Sequence, residues 1–71
     1  MREQERSVTL SAASPEAAAV AGQAAATKLW PDVERRATPW RVASVTPSPL
    51  RDLFPAVASQ SWQVVVVREV L

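Results

Sequence analysis

The last ten residues, Trp62-Gln63-Val64-Val65-Val66-Val67-Arg68-Glu69-Val70-Leu71, constrain this chain more than any other stretch. Successive residues of a strand point to opposite sheet faces, so a strand with one wet face alternates apolar and polar side chains. Here one face reads Trp62, Val64, Val66 and Val70, and the other reads Val65, Val67 and Leu71. Both faces need cover. The single long helical pattern in the chain can supply one cover only. The second face, with Val65, Val67, Leu71 and the neighbouring Trp62, is therefore expected to meet another copy of the protein or a bound ligand.

The remaining composition sharpens this expectation. At 71 residues the chain forms a single small domain, 1–71, with no cysteine and no histidine. A domain of this size buries only about 60% of the surface its unfolded form exposes and often needs a disulfide, a metal or oligomerisation. Disulfides and the usual zinc ligand sets are excluded by composition, which leaves homo-oligomerisation as the reinforcement. Formal net charge is +1, and Arg35-Arg36, beside Asp32 and Glu34, is the only adjacent basic pair. A nucleic-acid binder needs a basic stripe or patch, and none is readable. No apolar run approaches the roughly 20 residues that span a bilayer, so no membrane partner is expected. Met1 to Arg6 carries both signs of charge and lacks the apolar segment of a secretory signal. The expected location is the cytoplasm, or a particle of which the chain is a part.

Patterning yields four elements and a short turn. Residues 1–6 are expected to fray. Ser7 to Ala12 alternates as a one-sided strand, with Val8, Leu10 and Ala12 inward. Ser14-Pro15-Glu16 marks a helix start: a capping hydroxyl, a proline suited to the first helical position, and a carboxylate at the positive end of the dipole. The alanine-rich run to Trp30 has high helix propensity and stops at Pro31. Glu16, Gln23 and Thr27 fall on one stripe. Ala18, Gly22, Ala25, Ala26 and Leu29 form a smooth opposite side that a sheet can approach closely. Asp32 to Arg36 is expected to add a helical turn. Trp40 to Thr46 is the second strand, and Ser48-Pro49 before Leu50 to Phe54 predicts a single helical turn stopped by Pro55.

The fold class is thus α+β, in the order β-α-β-β. A helix of about 16 residues returns the chain along the first strand, making strands one and two parallel. Placing strand three between them makes every neighbouring pair antiparallel and puts the most apolar strand in the centre. The result is a three-stranded antiparallel sheet packed on one helix, with a short helical turn in the loop between strands two and three.

Catalysis finds little support. Without His, Cys or Tyr, and with one Lys, the available groups are carboxylates, hydroxyls and arginines. No carboxylate pair falls at a spacing that defines a cleft, and Ser59 and Ser61 have no neighbouring base. The chain is read as a non-enzyme with no metal site and no obligate cofactor. Three tryptophans remain to be placed. Trp30 sits at the helix end as a plug, while Trp40 and Trp62 open strands two and three. Packing in the core or at an interface accounts for each, and a platform for a flat ligand, oriented by the Gln63 amide, is the sharper alternative.

Three local motifs resemble the dodecins, small strand–helix–strand–strand proteins that form hollow dodecamers and bind flavins. They are Ser14-Pro15-Glu16 at the helix start, Trp40-Arg41-Val42-Ala43-Ser44-Val45 in strand two, and Trp62-Gln63-Val64-Val65-Val66 in strand three. The resemblance implies that Trp40 would stack on a flavin ring and Gln63 would hydrogen-bond to it. Pro47-Ser48-Pro49, the longer loop with Leu50, Leu53 and Phe54, and the Val67-Arg68-Glu69-Val70 ending depart from the family pattern. The leading expectation is therefore a non-catalytic, self-assembling subunit of a homo-oligomer or larger particle. A dodecin-like flavin-binding or storage protein is the alternative, and a module that pairs a strand with a different protein is the third.

Overall fold

The computed structural model describes residues 2–71 and shows β1 (Arg2–Ser11), α1 (Pro15–Leu29), β2 (Arg41–Pro47), α2 (Leu50–Leu53) and β3 (Ser61–Val70). The sheet order is β1-β3-β2, antiparallel at both pairings. The α+β fold, the central position of the valine-rich strand and the short helix after Pro49 all stand as the sequence implies.

Two local expectations are corrected. Arg2 to Arg6 is not a frayed end: Arg2 pairs with Val70 and Arg6 with Val66, so β1 runs ten residues (Met1 lies outside the described residues). The Arg-Glu-Gln-Glu-Arg pattern hides this strand from a hydrophobicity reading, because both of its faces are polar. Its backbone is nevertheless held by the far half of β3. Asp32 to Arg36 likewise forms a turn rather than a helix. Arg35 takes a left-handed φ of 54°, and the Asp32 carboxylate accepts from the amides of Arg36 and Ala37 at 2.9 and 3.0 Å. An aspartate bonding to nearby backbone in this way competes directly with helix formation. The chain then rejoins the sheet margin, where Thr38 N–H donates to the Glu69 carbonyl and Leu71 N–H to that of Arg36.

The start of α1 follows its signals. Ser14, extended at ψ 161°, accepts from the Ala17 amide through its hydroxyl at 3.1 Å, and Pro15 occupies the first turn. The buried stripe runs Ala18, Gly22, Ala26 and continues to the partly buried Trp30, which leaves Leu29 on the flank and exposed rather than on the covered face. Against that stripe lie Val64 and Val66, the largest fully buried side chains. Gly22 lets the helix backbone settle on Val64: a Cβ there would stand 2.6 Å from Val64 Cγ1.

An alanine helix leaves both ends of this layer unfilled, and tryptophans fill them. At the C-terminal end of α1, buried Trp40 meets Trp30 edge-on with centroids 6.0 Å apart. At the other end Trp62 sits between Leu10 and Pro47 in the register and donates its Nε1–H to the Ala12 carbonyl at 3.0 Å. Ten residues of strand extend about 33 Å, against about 22 Å for the fifteen of α1, so the sheet outruns its helix. The molecule measures 42 × 17 × 17 Å as a consequence.

Candidate functional site

The overhang creates a groove of about 460 Å³ on the helix side of the sheet, beyond Trp30. Alternation along β1 aims Arg2, Gln4 and Arg6 to this side and Glu3 and Glu5 to the other. Pro31 and Asp32 form the opposite wall. Arg68 stands at the junction with a second cavity of about 230 Å³ lined by Trp30, Pro39 and Trp40.

Arg68 organises this end of the molecule. It is only 8% exposed, with its guanidinium carbon 4.3 Å from the Trp40 ring centroid. Nε donates to Gln4 Oε1 at 2.6 Å and Nη1 to the Trp30 carbonyl at 2.9 Å. The same carbonyl accepts Trp40 Nε1–H at 3.1 Å. Two donors thus satisfy an orphan carbonyl at a helix C-terminus, and one of them brings the positive charge that the dipole favours there. Gln23 Nε2 donates to the Trp40 carbonyl at 2.8 Å, tying the middle of α1 to the start of β2. The Asp32 carboxyl is held below the usual carboxylate range, chiefly by the Ala37 amide, with further help from the Arg36 amide and the Arg68 charge.

Trp40 and Gln63 do not share a site within one chain. Trp40 lies in the helix layer, one face covered by Arg68. Gln63 stands between Thr9 and Thr46 in the register, on the open sheet face and near the other end of β2. The two side chains cannot grip one flat ring from a single copy.

The open face also differs from the expectation of a bare valine surface. By register its rows are Glu5–Val67–Arg41, Ser7–Val65–Ser44 and Thr9–Gln63–Thr46. Val67 is only 6% exposed. Arg41 Nη2 and Glu3 Oε2 approach to 3.8 Å, an ion pair between the two edge strands that crosses β3 beside Val67. The aliphatic stems of long charged side chains cover apolar surface well while their charged ends stay in water. Val65 is half-buried between its serines, Leu71 lies past the strand and exposed, and Trp62 belongs to the helix side. Of the four expected interface residues, only Val65 offers partly open apolar surface on that face.

The larger apolar exposure lies elsewhere. Leu50, Leu53, Phe54 and Val57, in and just after α2, are all exposed, Leu53 at 71% and Val57 at 89%. Arg51 pins this loop down: its guanidinium carbon lies 4.2 Å from the Trp62 ring centroid, and Nε donates to the Ser61 carbonyl at 2.8 Å. Buried Ser48 accepts from the Leu50 amide at 3.2 Å. The two arginine–tryptophan stacks were missed from sequence. Arg68 left a signal, since it falls in phase with the inward Val64 and Val66. Arg51 left none.

Among the described residues, no helix is long and apolar enough to cross a membrane. Among the described residues, no three His, Cys, Asp or Glu side chains gather where they could hold a metal ion. No protein-family model, curated protein sequence or solved structure matches this chain.

Proposed function

We propose that this protein is a non-catalytic subunit that associates with copies of itself. One observation carries the reading: among the described residues, more large hydrophobic side chains stand largely exposed than lie fully buried. Val20, Leu29, Val33, Leu50, Leu53, Phe54, Val57 and Leu71 are exposed, whereas the buried hydrophobics beyond alanine are Trp40, Val64, Val66 and Val67. The accessible surface, 4888 Å², exceeds the about 4,300 Å² of a compact monomer of this mass. Contiguous exposed apolar patches on small soluble domains mark interaction sites. The open ladder edge of β1 from Ser7 to Ser11, free of charged side chains, adds a second surface that strand pairing can use.

Size-exclusion chromatography with light scattering tests this reading on the purified chain at micromolar concentration. A mass of two or more protomers is expected. A single protomer mass that persists to high concentration refutes it.

A further inference from the structure

We propose that the groove beyond Trp30 binds a phosphate group, held by Arg68 on its floor and by Arg2 and Arg6 along its β1 flank. The inference is independent of self-association, and the site lies at the opposite end of the sheet from Pro47 and the α2 loop.

The first observation is a cation buried without a matching anion. Arg68 is only 8% exposed, yet among the described residues no carboxylate comes within ion-pairing distance of its guanidinium. Removing a charge from water is costly unless an opposite charge and further hydrogen bonds compensate. Trp40, Gln4 Oε1 and the Trp30 carbonyl fix the group through its face, Nε and Nη1, and none of them is ionised. Nη2 makes no hydrogen bond among the described residues and is not sealed from the surface. Asp32 feels the Arg68 charge from farther off, and its carboxylate already accepts from the amides of Arg36 and Ala37.

The second is the charge of the groove itself. Arg2 and Arg6 each stand two residues, or about 7 Å, from Gln4, which lies opposite Arg68 in the register. Both are exposed, and among the described residues neither makes an ion pair. Glu3 and Glu5 alternate to the other face, where Glu3 meets Arg41. Arg36 adds a cation on the far wall, in a loose 3.7 Å contact with Glu34. On the helix side four arginines thus face two carboxylates around a space of about 460 Å³, and a cleft dominated by one sign concentrates counter-ions.

A phosphate monoester fits this arrangement better than a carboxylate. It carries close to two negative charges and three strong acceptor oxygens, enough for Arg68 Nη2 and an arginine on either side. A carboxylate brings one charge and two oxygens. The planar, weakly hydrated guanidinium is also the cation best suited to phosphate. Beside Arg68 the second cavity, about 230 Å³ between Trp30, Pro39 and Trp40, leaves room for the organic part of an ester.

Calorimetric titration of the full chain with inorganic phosphate, phenyl phosphate and benzoate at low ionic strength tests the site. Saturable phosphate binding with a dissociation constant below about 1 mM is expected, and weaker binding of benzoate. Inorganic phosphate binding as tightly as phenyl phosphate assigns the site to the free ion, and tighter binding of phenyl phosphate assigns it to an ester; either upholds the proposal. Arg2→Gln and Arg6→Gln combined should weaken binding by about tenfold or more. Arg68→Gln should abolish it, and should that variant fail to fold, the two exposed changes decide. Arg41→Gln removes the same charge as either one from the opposite face, and should leave the affinity within about twofold. The proposal is overturned if neither phosphate binds saturably, if benzoate binds as tightly as phenyl phosphate, or if the groove changes weaken binding no more than Arg41→Gln does.

Discussion

Gly22→Ala sets two magnitudes against each other. Replacing a mid-helix glycine with alanine normally stabilises by about 0.8–1 kcal/mol, because it removes backbone freedom from the unfolded chain. Here the added Cβ would sit 2.6 Å from Val64 Cγ1, 2.8 Å from its Cβ and 3.0 Å from Cγ2. Rotating Val64 moves both methyls but leaves its own Cβ in place. The clash is therefore relieved only by lifting α1 from the sheet or bending β3. Overpacking of this kind costs about 1–3 kcal/mol, and a contact with no rotamer escape lies toward the upper part of that range. The net expectation is a loss of about 1–2 kcal/mol, or roughly 5–15 °C in melting temperature for a domain of this size. Thermal and urea unfolding at fixed protein concentration measure it, since association also shifts the midpoint. Ala24→Gly, on the exposed side of α1, supplies the propensity term alone and should cost about 1 kcal/mol. Adding Val64→Ala to Gly22→Ala should cost less than the two changes summed, by about 1 kcal/mol, because the methyl clashes vanish. A Gly22→Ala protein that melts at or above its parent would refute the argument, showing that the helix and sheet lie farther apart than this packing requires.

Trp40→Ala removes the largest buried side chain at one end of the helix layer, together with the ring under Arg68 and a donor to the Trp30 carbonyl. The expected cost is about 3–5 kcal/mol, roughly a third or more of the roughly 4–10 kcal/mol available to a domain of this length. Denaturant unfolding checks it, and a loss under 1 kcal/mol would contradict the packing. The Asp32 carboxyl is depressed in the folded protein, foremost by the Ala37 amide. Its contribution is accordingly full above the unfolded value near about 3.9 and fades as pH falls through the lower folded value. Asp32→Asn should flatten the stability profile over that acid range relative to the parent, and identical urea midpoints down the acid limb in both proteins would sink the assignment.

How much of this was legible in the sequence depends on whether one strand's pattern was enough or its neighbours were needed. The capped helix start, the central place of β3 and the turn after Pro49 could be read because each is set by local chemistry or by one strand's hydrophobicity. The far half of β1 could not, because Arg2 to Arg6 alternates charge rather than hydrophobicity and is held by a partner sixty-odd residues away. The candidate surface shifted for a related reason. Alternation correctly placed Val65 and Val67 on the face away from α1, but it counts side chains along one strand and takes no account of those beside it. Val67 has Glu5 and Arg41 as lateral neighbours and an ion pair crossing next to it, so a three-stranded sheet closes over its own centre. A narrow sheet edged by long charged side chains therefore needs less outside cover than its central strand implies. The loop after Pro49 has no such flanks. Its Leu53, Phe54 and Val57 remain in water, so the larger open apolar surface lies there rather than on the valine ribbon.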